Sequence, residues 1–278
     1  MKNPAFEILL KKHRTLRLML LAALVLYMLA LFAVISKWSY PYLYVAAACL
    51  FHLVVLGAFR RSYRSAYTRA YALSAAANHL ADAVYEKTVT VSSDLLAEKG
   101  FVPDVAFLPN AQLHHVLRGK LSGHPAMIAE TALVRLGGSR RSIAGTLLTV
   151  DNAAPEDESW VLLWNDPLDG IVDKDEFYKN GWHEAALPPS ASKQNVVCFS
   201  RGENTFALRP AANVLQPYNR ELPFAAAVHQ GQLSLLLLNT FYAHKPSDTK
   251  TPQEEFFTQS AIAGTEVIVK MVKALETL

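Results

Sequence analysis

Three groups of side chains in this sequence have the chemistry to hold a metal ion or move a proton. The first is WNDPLDGIVDKDEF, residues 164–177, with Asp166, Asp169, Asp173, Asp175 and Glu176. Calcium takes six to eight oxygens, and EF-hand loops set acids at alternate positions ahead of a glycine. The Asp-Pro-Leu-Asp-Gly spacing does not reproduce that, and Asp, Pro and Gly are ordinary turn residues. The second is LHHVLRGKLSGH, residues 113–124, with His114, His115 and His124. Neighbouring residues of a strand or helix point in different directions, and no Cys/His cluster elsewhere completes a tetrahedral set. The third is His52 alone, inside an apolar run. Nucleophile elbows, phosphate-binding glycine loops and dinucleotide fingerprints are missing from the sequence. RLGGSRRS, residues 135–142, offers backbone amides and Arg140/Arg141 to a phosphate, but serves equally as a charged hairpin tip. No metal or cofactor is expected.

The elements that must carry these groups divide into an apolar N-terminal part and a mixed body. Of 278 residues 51 % are hydrophobic, with a mean hydropathy of +0.14. Leu18–Ser36 has no charged residue, and in Pro41–Phe59 only His52 can ionise near neutrality. Each run is long enough to cross a hydrocarbon core of about 30 Å as a helix. The first run exceeds a signal-peptide core, and AVISKWS is a poor cleavage site. With only Lys37-Trp38-Ser39-Tyr40 between them, residues 18–59 read as a transmembrane helical hairpin.

Basic residues orient it. Lys2, Lys11, Lys12, Arg14 and Arg17 precede the first run, Arg60, Arg61, Arg64 and Arg69 follow the second, and the connection has only Lys37. The positive-inside rule then places both termini in the cytoplasm and Trp38, Tyr40 and Tyr42 at the outer interface. Arg60, Arg61 and Arg64 face anionic headgroups in this reading. A net charge of only +3 (27 basic against 24 acidic residues) argues against nucleic acid as a partner. Cys49 and Cys198 read as small buried apolar residues, not a disulfide.

The resulting division is a basic N-terminus at 1–17, the hairpin at 18–59, a juxtamembrane helical region at 60–99 and a cytoplasmic α+β domain at 100–278. Tyr63, Tyr67, Ala70, Tyr71, Ala77, Leu80, Ala81 and Val84 recur at helical steps and predict a helix from Arg60 to about Lys87. Ala126–Leu136 with Ile143–Asp151, and Phe224–His229 with Leu233–Asn239, read as hairpins, and Trp160–Trp164 and Val196–Ser200 as further strands. Asn165–Gln194 reads as a surface loop, and Phe206–Gln216 as a short helix. Thr251-Pro252-Gln253-Glu254 has the form of a capping box opening one terminal helix, whose apolar face runs from Phe257 and Ala261 through Gly264 to Ile268, Met271, Val272 and Leu275. A mainly antiparallel sheet with packing helices is α+β.

Two adjacent spans, then Pro103, LSGHPAMIAETALVRL with Glu130, IAGTLLTVD, VVCFSRGENTFALRPAANVL and a terminal VKALETL follow one another in a familiar order. In this the chain resembles the bacterial domain-of-unknown-function family 3137, with Ile143 where that pattern has phenylalanine. The resemblance implies a bacterial inner-membrane protein with a cytoplasmic α+β domain and brings no activity with it. The function expected is a non-enzymatic, membrane-anchored module that binds a membrane or cytoplasmic protein, with a homo-oligomer left open. The alternatives are a membrane-tethered hydrolase or transferase, and a subunit of an oligomeric transporter using His52.

Overall fold

The computed structural model describes residues 4–92, 94–102, 112–134, 142–164, 174–187, 196–202, 214, 223–238, 246–260, 262 and 264–277, with the backbone alone for 132–134 and 142–144. The chain forms two compact units, residues 1–75 with 244–260 and residues 76–243 with 261–278.

The first unit is built on two long helices. α1 (Pro4–Ile35) is 32 residues, about 48 Å at 1.5 Å per residue, so Lys11, Lys12, Arg14 and Arg17 lie in its N-terminal half. Ser36 and Trp38 close its end on the carbonyls of Phe32 and Ala33. Lys37 and Tyr40 take left-handed backbone, and Pro41, with φ preset, opens the return helix. That helix runs as α2 (Pro41–Leu50), a π-helical turn at Phe51–Leu56 that carries His52, and α3 (Gly57–Ala76). Small side chains (Ala23, Ala30, Ala33, Ala48) are buried in the hairpin, where they let backbones approach closely. Large apolar side chains face outward instead, up to Leu53 at 76 % exposed, and Cys49 is exposed with them. Both helices are long and apolar enough to cross a membrane. In the same unit α6 (Glu254–Gln259) brings Phe257 against Phe6, Tyr67 and Tyr71, with ring centroids 5.1–6.0 Å apart.

The second unit is α+β, with a nine-stranded sheet in the order β1-β2-β3-β4-β9-β8-β5-β7-β6 whose described pairings are all antiparallel. The strands are β1 (Ala81–Thr90), β2 (Gln112–Leu121), β3 (His124–Val134), β4 (Ser142–Val150), β5 (Trp160–Trp164), β6 (His183–Glu184), β7 (Val196–Ser200), β8 (Phe224–His229) and β9 (Gln232–Leu237). Ser122-Gly123 and Gln230-Gly231 join their hairpins with positive φ at both residues, the type I′ geometry that matches strand twist. Leu147, Leu163, Phe199 and Leu236 join Leu96 of α4 (Leu95–Glu98) and Phe177 of α5 (Lys174–Lys179) in one core. Residues of opposite parity, Leu148, Leu235 and Leu237, are buried too, on the other sheet face. There α7 (Thr265–Glu276) buries Ile268, Met271, Val272 and Leu275.

Three expectations are corrected. The helix expected to reach Lys87 stops at Ala76, whose carbonyl accepts from His79 and Leu80 N–H. Val84, Tyr85, Thr88, Val89 and Thr90 then enter β1, so residues 60–99 are helix, edge strand and the short α4. β-branched and aromatic residues packing on β2 outweigh the three- and four-residue spacing. The single terminal helix is two. Gly264, at φ 83, caps α7 in left-handed backbone, and a Cβ there would come 2.3 Å from Leu237 Cδ1. The cap of α6 is Gln253 in extended backbone, without a side-chain bond, so Thr251 and Glu254 form no capping box. Within the Asn165–Gln194 stretch, residues 174–187 are not a surface loop, since Phe177 stacks on Phe199 at 4.4 Å and Trp182 is buried. The tip at 135–141 and nearly all of Phe206–Gln216 lie outside the described residues.

Packing of α7 fixes an order of mutational costs. Ile268→Ala empties a fully buried site and should lower stability by about 2–5 kcal/mol, whereas Thr251→Ala and Lys270→Ala should shift the urea midpoint of the detergent-solubilised chain little. An unchanged midpoint for Ile268→Ala would refute this packing.

A second expectation concerns pH. His115 sits at φ 53 in a bulge of β2, its Nδ1 2.8 Å from Tyr85 Oη, and burial, with His114 and Lys87 alongside, pulls its pKa from 6.5 to about 4. The unfolded chain takes up that proton first. The stabilisation is therefore complete above pH 6.5 and is lost as pH falls toward 4, on the order of 3 kcal/mol at about 1.4 kcal/mol per unit. His115→Asn, which tolerates the left-handed backbone, should flatten the melting temperature between pH 4 and 6.5 relative to the parent chain.

Candidate functional site

The basic residues that flank the apolar runs gather at one end of the helical hairpin. Arg61 and Arg64 are exposed on α3, while Arg60 pairs through Nε with Asp248 Oδ2 at 3.0 Å. Beside this pair Tyr63 Oη donates to Ser247 O at 3.1 Å, and Lys12 Nζ donates to Ser62 Oγ at 3.0 Å. His13 is 2 % exposed, its ring 5.4 Å from that of Tyr63 and its Nε2 without a hydrogen-bond partner. Of the three arginines read as headgroup contacts, Arg60 thus also holds residues 247–248 on α3. Along α1, Phe6, Leu10, Lys11, Arg14 and Leu18 line a groove of about 590 Å³ where charged turns give way to apolar ones.

The histidine cluster disperses: His114 lies against Thr88, His115 against Tyr85 and His124 against Glu276. Asp166, Asp169 and Asp173 lie outside the described residues, and Glu176 pairs with Lys179 on α5. No group of three metal-ligating side chains occurs among the described residues. In the hairpin, His52 Nδ1 is buried without a hydrogen-bond partner, 6.0 Å ring to ring from Tyr27. Cys198 is fully buried, and burial raises its thiol pKa.

A different constellation arises at one end of the sheet. Trp160 pairs with Ser200 and with Val228, so Ser159 before β5, Arg201 after β7 and His229 at the end of β8 come together. Arg201 N–H bonds Ser159 O at 2.9 Å, and Ser159 Oγ lies 3.0 Å from His229 Nδ1. The loop after α4 presses in from the side: Gly100 has φ 75, and a Cβ there would fall 2.6 Å from His229 Cβ. Asp94, Ala97, Glu98, Val102, Asn180, Trp182, Arg201 and His229 line the resulting cleft of about 360 Å³. Burial, with Arg201 beside it, lowers the His229 pKa, so the imidazole is neutral at pH 7. With Nδ1 engaged by Ser159, the other ring nitrogen is Nε2. The lining has a guanidinium, two carboxylates, a carboxamide, an imidazole and an indole. Among the described lining residues none is Ser, Thr, Cys, Lys or Tyr, and the groups there that can act as nucleophiles are carboxylates and an imidazole. Reading the sequence for motifs missed this cleft. Its only signal there is that Arg201 and His229 each end an apolar strand run.

Comparison with protein-family models, curated proteins and solved structures finds no match.

The Arg60–Asp248 pair is tested by a double-mutant cycle. Arg60→Ala and Asp248→Ala should each destabilise the chain, and the double variant by less than their sum, with a coupling of about 1–2 kcal/mol. Strict additivity in thermal unfolding would show that the pair does not hold residues 247–248 in place.

Proposed function

We propose that this chain is a non-enzymatic module anchored by residues 18–59 in a bacterial inner membrane, of the domain-of-unknown-function 3137 type, with both termini and the α+β body in the cytoplasm. One observation carries the reading. Two helices turn large apolar side chains outward over their length, with Arg61, Arg64, Lys11 and Arg14 at one end and Trp38, Tyr40 and Tyr42 at the other. Water would not support that surface, and lipid would. Arg61 and Arg64, with the remaining nitrogens of Arg60, then meet anionic headgroups. The body supplies the binding surface for a partner. The Ser159–His229 pair at the cleft favours a second reading, a tethered hydrolase or transferase.

Two measurements test the anchor. A cysteine at Ser39 should label from outside intact cells, and a reporter after Leu278 should read cytoplasm; the reverse pattern would overturn the topology. In nanodiscs, the gain in thermal stability on passing from zwitterionic to anionic lipid should shrink by about 1 kcal/mol for each of Arg61→Gln and Arg64→Gln at low salt. An undiminished gain would make these arginines topology signals only.

A further inference from the structure

We propose that the groove along α1 is a binding site for a single ethanolamine phospholipid, its phosphate on Lys11 and Arg14, its ammonium on Glu7 and Glu254, and its chains leaving past Leu18. The inference rests on the reading of residues 18–59 as a membrane anchor and names the lipid held at its edge.

Order along one helix supports it. At 3.6 residues per turn, Glu7, Lys11, Arg14, Leu18, Leu21 and Val25 fall within about 40° of one line on α1, and all six are exposed. From the N-terminus the stripe reads acidic, basic, basic, then apolar. At 1.5 Å per residue the steps from Glu7 to Lys11, Arg14 and Leu18 are about 6, 4.5 and 6 Å of rise. A phospholipid at a bilayer edge presents the same order, chains below phosphate, and a headgroup with a cation beyond the phosphate matches the acidic turn. The two-carbon linker of ethanolamine sets that cation about one helical turn, 5.4 Å, from the phosphate. Glu254 lines the same groove, held there by Phe257, which packs edge-on against Phe6 at 5.5 Å. Among the described residues none of Glu7, Lys11, Arg14 and Glu254 makes a side-chain hydrogen bond or ion pair. Each therefore keeps its charged donors or acceptors for a ligand. The groove, at about 590 Å³, is within the range of ligand sites. Lysine and arginine are the side chains that bind phosphate best. Glycerol as a headgroup would bring the carboxylates no cation, and the ammonium of choline has no N–H to donate to them.

The test is native mass spectrometry of the detergent-solubilised full chain titrated with dioleoyl phosphatidylethanolamine, phosphatidylcholine and phosphatidylglycerol. The ethanolamine lipid should bind at least about fivefold more tightly than either of the others, a difference of about 1 kcal/mol. Arg14→Gln should weaken all three by a similar factor and keep their ranking, because the phosphate is common to them. Glu7→Gln should erase the ranking and leave phosphatidylglycerol bound at least as tightly as before. Both side chains are exposed, so lipid-free melting temperatures should match the parent chain. O-phosphoethanolamine, the headgroup without its chains, should not displace the bound lipid at millimolar concentration; displacement would overturn a lipid site in favour of a free ligand. Equal binding of the three lipids, or a ranking indifferent to Glu7→Gln, overturns the proposal. The anchor stands without it if the chain stays in the membrane fraction and Ser39→Cys labels from outside. A chain recovered in the soluble fraction overturns the anchor and the lipid site together.

Discussion

Phe257, set edge-on among Phe6, Tyr67 and Tyr71, joins the start of the chain, the end of the return helix and a segment near the C-terminus. Arg60–Asp248 and the Tyr63 bond to Ser247 lie alongside. The chain leaves this unit after Ala75 and re-enters it at His244. Closing so long a loop is less costly than intuition suggests, about 0.6 kcal/mol for each doubling of length, and aromatic edge contacts of about 0.5–1.5 kcal/mol each offset it.

Within the sheet, alternation is what makes the cleft possible. β5 is buried along its whole length, with Val161 and Leu163 in one core with residues of α4 and α5, and a strand in that position has no polar side chains to spare. The polar residues therefore collect where the strands end. Antiparallel pairing brings those ends together, and the short β7 and β8 stop at the same level as the start of β5. The edge strand β1 shows the opposite situation. It is mostly exposed, bent by a bulge at Asp82 and charged at Glu86 and Lys87, the devices that keep an edge from recruiting further strands.

Much of this was legible in the residues. Uncharged runs of transmembrane length gave the two long helices, and Gly-containing turns between apolar runs gave β8–β9 and the pairing of β3 with β4. What misled was local periodicity without its tertiary partner. Ala77, Leu80, Ala81 and Val84 fit a helix by spacing, yet β1 exists because β2 lies beside it, and β2 was hidden among histidines. Gly264 fitted an apolar stripe by position, while its backbone was needed in a conformation that stops a helix. The cleft was illegible for a further reason: Glu98, Asn180, Arg201 and His229 lie far apart in sequence, and strand order together with the packing of α4 and α5 on the sheet brings them together.

The π-helical turn at Phe51–Leu56 sets a phase. Each such turn accommodates one residue more than an α-helix does, and a residue is worth about 100° of rotation at 3.6 per turn. Upstream, the return helix must point Ala48 at α1; downstream, it must present Tyr63, Tyr67 and Tyr71 to Phe257. The extra residue works like a spline on a shaft, indexing one half of the rod against the other. A helix relaxed to ordinary pitch there would keep its length to within an ångström or two and still carry the aromatic face around to the wrong side.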